Sequence, residues 1–97
     1  MAQALPKTTK PIAKKPKRFE VILLNDDYTT MEFVLSVLEE VFQKSPAEAF
    51  RLMMQVHTQG MATCGIYTYE VAETKVEMLR ELAQRDGFPL QAMVKEG

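Results

Sequence analysis

The sequence predicts a single α+β domain, a two-layer α/β sandwich in which a short sheet carries three helices packed on one face. Three observations predict it. Segments with strand character and segments with apolar residues at helical spacing follow one another in the order β-α-α-β-α-β. Two helix-start signals, Thr29-Thr30-Met31-Glu32 and Ser45-Pro46-Ala47-Glu48, stand at the heads of the first two helical segments. The chain has 97 residues, enough for one core.

Residues 1–18, MAQALPKTTKPIAKKPKR, are expected to be a disordered basic extension. They hold six Lys and Arg and no acid, while residues 19–97 hold the other six basic residues and all 13 acidic ones. The extension therefore carries +6 and the body −7, together the chain's −1. Pro6, Pro11 and Pro16 oppose a helix there, and little apolar content is available for packing. The extension lacks aromatic residues to stack on bases, so nucleic acid is not expected as a partner.

The domain proper spans residues 19–97. FEVILL (19–24) is a short β-branched and apolar run, a strand. Thr29 is expected to cap the first helix, with Glu32 reaching back to it. Val34, Val37, Leu38, Val41 and Phe42 form its inner stripe. Ser45 caps the second helix, Pro46 takes its first position, and Gly60 stops it. MATCGIYTY (61–69) is the second strand, with Gly65 a bulge or a point of close approach. A third helix spans about residues 69–86, with Ala72, Val76, Leu79, Leu82 and Ala83 inward, and Asp86-Gly87 ends it. LQAMVKE (90–96) is the last strand.

Composition narrows the class. A single cysteine, Cys64, rules out an intramolecular disulfide framework and suits a reducing compartment. No apolar run is long enough to span a membrane, and the N-terminus lacks the apolar segment of a secretory signal. A membrane is thus not an expected partner, nor is a cofactor expected.

Chemistry concentrates in Asn25-Asp26-Asp27 and in His57. Asn and Asp are ordinary loop residues, and an acid near a helix N-terminus is favoured by the macrodipole. His57 falls on the apolar face of its helix between Met53 and Phe50, its ring expected toward protein or a pocket, where a lone histidine commonly has a structural role. Three active readings stand beside these. Asp26, Asp27 and His57 are a mixed hard and imidazole set for a metal, without a paired His or Cys spacing to support it. A hydrolase using His57 and an Asp lacks a placed nucleophile, since Cys64 lies in an apolar strand. The third reading is capture of a cation with several N–H donors, such as a free α-amino group. Asn25 offers a carbonyl oxygen, Asp27 a carboxylate and neutral His57 a ring nitrogen. Met31, Met53 and Met54 are either pliable core or the walls of an apolar pocket beside these acceptors.

Four stretches, LLNDDYTTMEFV, LMMQVHTQG, CGIYTYEVAETK and FPLQAM, resemble the ClpS adaptor family, in order and across about residues 19–96. The resemblance implies a protein that is not an enzyme. It implies binding of substrates that begin with a bulky residue (Phe, Leu, Tyr or Trp), the N-degrons, and delivery to the ClpA unfoldase of the ClpAP protease. It implies that Asn25, Asp27 and His57 hold the α-amino group, with Asp26 assisting. It implies a pocket of Leu23, Leu24, Thr29, Met31, Val34, Met53, Val56 and Leu90, with Met31 the gatekeeper against β-branched side chains. Glu70 and Lys75 match the surface that docks on the N-terminal domain of ClpA, and the basic extension matches one that engages the unfoldase. The family pattern usually has Pro where this chain has Thr30, which is expected to leave that turn less restrained and selectivity looser. A monomer in the bacterial cytoplasm is expected.

Overall fold

The structure, a computed structural model, describes residues 15–97. The disorder expected of the extension lies, for residues 1–14, outside the described residues. The elements are β1 (Phe19–Leu24), α1 (Met31–Glu40), α2 (Pro46–Gln59), β2 (Met61–Tyr67), α3 (Tyr69–Asp86) and β3 (Gln91–Glu96). Their order is the predicted one, and the strands form an antiparallel sheet with β1 in the middle, β2-β1-β3. Residues 15–18 are exposed and irregular. Arg18 prolongs the middle strand, since Gly97 N–H, just past β3, donates to the Arg18 carbonyl at 3.0 Å.

The alternation of β1 explains the layering. Val21 and Leu23 point into the helical layer and are fully buried, together with Ala62 and Cys64 of β2. α1 packs against α2, α2 against β2, and α3 lies across the sheet, closing one core with Val37, Leu38, Val41, Leu52 and Leu79 at its centre. On the other face of the sheet Ile22 is buried, while Met61, Ile66 and Met93 are exposed. The ladder between β1 and β2 slips by one residue between Val21 and Ile22, opposite Gly65 and Thr63. That is the bulge Gly65 predicts, and it is also a close approach, because the Tyr67 ring occupies the space a Cβ at Gly65 would need.

Both helix starts depart in detail from the expected capping boxes. The cap of α1 is Thr30, not Thr29: the Thr30 hydroxyl accepts from Phe33 N–H at 3.1 Å. Thr29 is engaged elsewhere, as described below. Ser45 caps α2 as predicted, accepting from Glu48 N–H at 3.2 Å. Glu48 does not complete a box; its carboxylate accepts from Arg51 at 3.0 Å instead. Gly60 ends α2 in the left-handed region at φ 91°, where a side chain is disfavoured. The second strand stops at Tyr67, two residues short of the predicted end, because Thr68 is already the N-cap of α3. Among the described residues no helix is long and apolar enough to cross a membrane.

Candidate functional site

Six residues, 25–30, connect β1 to α1, and the local chemistry shapes this loop tightly. Asn25 N–H donates to the Gly60 carbonyl at 2.9 Å, which ties the loop to the end of α2. Asp26 folds the loop over itself. Its Oδ1 accepts from the N–H groups of Tyr28 at 2.8 Å and Thr29 at 2.7 Å, and its Oδ2 accepts from the Thr29 hydroxyl at 2.7 Å. Burial pushes the Asp26 carboxyl up, but these bonds from Thr29 and Tyr28 together outweigh it and hold the group below its ordinary value.

The two carboxylates thus differ in use. Asp26 is spent on the loop. Among the described residues the side chains of Asn25, Asp27 and His57 have no hydrogen-bond partner in the fold, so their acceptors are available. The loop places Asn25 and Asp27 beside His57, which the last turn of α2 supplies. All three line one cavity of about 250 Å³, with Asp26, Thr29, Met31, Val34, Met53 and Val56. Val34, Met53 and Val56 are buried, whereas Met31 is 45% exposed and stands at the rim. The site is therefore an apolar pocket with a polar mouth.

Three of the residues expected to line the pocket do not line this cavity. Leu23 is fully buried in the core, because its position on β1 points it under the helices. Leu24, the last residue of β1, alternates to the opposite face of the sheet. Leu90 lies against α3, in a separate cleft of about 410 Å³ shared with Val76, Leu79 and Ala83. His57 also departs from expectation. The face of α2 expected to be apolar divides: Leu52, Met53 and Val56 enter the core, while Phe50, Met54 and His57 are exposed. The ring reaches the cavity from the solvent side.

Glu70 is exposed in the first turn of α3. Lys75, about one and a half turns further along α3, is half-buried and donates to the Val41 carbonyl at 2.6 Å and to Gln43 Oε1 at 2.7 Å. Nothing local in the sequence points to that contact, which joins residues 34 apart. As for the enzymatic alternatives, Asp26, Asp27 and His57 do line one cavity. Among the described residues, however, no three His, Cys, Asp or Glu side chains converge as a metal-holding group. Cys64 is fully buried, and burial pushes its thiol up to about 12, so it is neither reachable nor ionised at neutral pH.

Comparison with known proteins bears on the sequence and the fold. The family model described as ATP-dependent Clp protease adaptor protein ClpS matches residues 14–93. The ATP-dependent Clp protease adapter protein ClpS of Maricaulis maris is 52% identical over 88 residues, 91% of this chain and 81% of that protein. Its namesake in Nitratidesulfovibrio vulgaris is 53% identical over 83 residues, 86% of this chain and 83% of that one. Among solved structures, ClpS2 of Agrobacterium tumefaciens bound to L-phenylalaninamide superposes with a TM-score of 0.82 at 40% identity, covering 86% of this chain and all of the other. A match of this extent, in sequence and in fold, means that the chain belongs to the ClpS family of Clp protease adaptor proteins.

Proposed function

We propose that the cavity captures the first residue of another protein and that the chain passes that protein to a ClpA-type AAA+ unfoldase of a bacterial cytoplasmic protease. The observation that carries the reading is the set of acceptors, Asn25, Asp27 and His57, unpaired among the described residues, at the mouth of a pocket walled by Val34, Met53 and Val56. An α-ammonium group has three donors and needs acceptors only. Asp27 supplies a full opposite charge, and Asp26, though committed to the loop, adds to the negative potential. The first side chain enters the pocket, whose volume suits one Phe, Leu, Tyr or Trp rather than an extended ligand. The related ClpS2 carries L-phenylalaninamide, an amine with this side chain. Met31 at the rim opposes branching at Cβ. Glu70, exposed on α3, and Lys75 belong to the docking surface in this reading.

The test is fluorescence anisotropy with three peptides identical after the first residue, which is Phe, Ile or N-acetyl-Phe. Phe binds and the other two do not. Acetylation removes the charge and two donors and leaves the site's acceptors unpaired, at a cost of about 1–3 kcal/mol or more. Because His57 must accept, His57→Ala weakens binding of the Phe peptide. Equal binding of the acetylated peptide rules out the amine site, and unchanged affinity of His57→Ala removes His57 from it.

A further inference from the structure

Lys75 makes contacts that a docking residue does not require. It belongs to α3, yet its ammonium sits at the far end of α1, on the Val41 carbonyl and the Gln43 side chain, with the Tyr67 ring 5.7 Å away. The sequence of α1 supplies the reason. Its last turn carries Glu39 and Glu40 and no basic residue, although a helix C-terminus presents unpaired carbonyls and a partial negative charge. The carbonyls are met singly from outside the helix: Leu38 by Lys44 N–H at 3.0 Å, Glu40 by Gln43 Nε2 at 3.0 Å, and Val41 by Lys75. Gln43 itself takes a left-handed φ of 53°, a costly conformation for a residue with a side chain. Its amide is held at both ends, one by Glu40 and the other by Lys75.

This turn is the hinge of the α1–α2 hairpin, and the cavity lies at the hairpin's other end. Met31 and Val34 come from the start of α1, and Met53, Val56 and His57 from the later part of α2. Val41 and Met31 are separated by about 15 Å of helix, so a tilt of about 5° at the hinge moves the cavity wall by about 1 Å. Apolar packing holds the helices together with little directional preference, whereas a charge-assisted hydrogen bond at the hinge has a preferred geometry.

We propose that Lys75 is a positioning residue for the cavity: its clamp on Val41 and Gln43 sets the splay of α1 and α2, and with it the width of the pocket. This rests on the function proposed for that cavity and adds to any role of Lys75 in docking. Lys75→Met keeps the aliphatic stem and removes the ammonium, Lys75→Arg keeps a cation, and Gln43→Gly cuts the clamp without touching α3. Each full-length variant is measured without an unfoldase, at a temperature where circular dichroism shows it fully folded. For Lys75→Met and Gln43→Gly, affinity for the Phe peptide falls roughly three- to tenfold and the preference for Phe over Ile narrows. The methyl resonances of Met31 and Met53 shift in the peptide-free chain, and Lys75→Arg restores most of each effect. Unchanged affinity and selectivity with unmoved methyls overturn the proposal, as does lower stability with unaltered selectivity in the folded chain. If the parent chain binds none of the peptides, the reading of the cavity has failed, and the two methyl resonances alone then decide whether Lys75 sets its geometry.

Discussion

At Asp26 three donors meet one carboxylate, and at Asp27, the next residue, none among the described residues does. The difference arises from loop geometry: a side chain reaches back-folded N–H groups two and three residues on only from the position where the chain turns. The fold thus uses one acid to build the loop and leaves the other for the site. Asp26 sits below its ordinary value when folded, despite the opposing effect of burial, because Thr29 and Tyr28 bond the ionised form. A depressed acid stabilises the fold above its unfolded value, and that contribution fades as pH falls through the folded value. Asp26→Ala therefore lowers the melting temperature at pH 7, and the gap from the parent narrows as pH falls from neutral into the acid range and the parent carboxyl takes up its proton too. Thermal unfolding of both chains across that range measures it. A gap that widens on acidification contradicts the assignment.

For helix α1, the cap decides where the element begins and hence where Met31 stands. Thr30 at φ −74° and ψ 154° has the extended backbone of an N-cap, and its hydroxyl bonds Phe33 N–H. The turn expected to be less restrained without Pro is restrained by a hydrogen bond instead of a ring. Thr30→Ala costs about 1 kcal/mol, the usual value for losing such a cap. Thr30→Pro also loses the hydroxyl, but φ −74° is one that Pro accepts, so part of the loss is recovered. Differential scanning calorimetry should rank the parent first, Pro second and Ala third. The sequence pointed to Thr29, since Glu32 stands three residues on at capping-box spacing, and the structure puts the cap one residue later. The Asp26 bond to the Thr29 hydroxyl, a feature of the folded loop, separates the two threonines.

Across the whole molecule, core and site are separable. Leu79 of α3 is 2% exposed and belongs to the central cluster, but it does not line the cavity at the α1–α2 end. Leu79→Ala costs about 2–5 kcal/mol through lost burial and the void left behind. That is a large share of a small domain's stability. Urea unfolding would report this loss, while peptide affinity per folded molecule stays near that of the parent. A matching loss of affinity in the folded fraction means that α3 packing reaches the site by more than the Lys75 clamp.

The sequence by itself determined the order of elements, the inner stripes of the helices, the Ser45 and Gly60 helix ends and the bulge at Gly65. These depend on periodicity and on backbone preferences, which act over a few residues. Its side chains pointed to Asn25, Asp26, Asp27 and His57, with Met31 and Met53 nearby, and the family resemblance supplied Thr29, Val34 and Val56, the rest of the nine residues that line the cavity. Tertiary structure alone decided that Asp26 is spent on bonds within the loop, which named leucines lie outside the cavity, and that His57 approaches from solvent. It also decided that Lys75 closes the end of α1. The physical reason is common to these: donors compete for acceptors, and burial is shared among neighbours, only once segments distant in the chain have met.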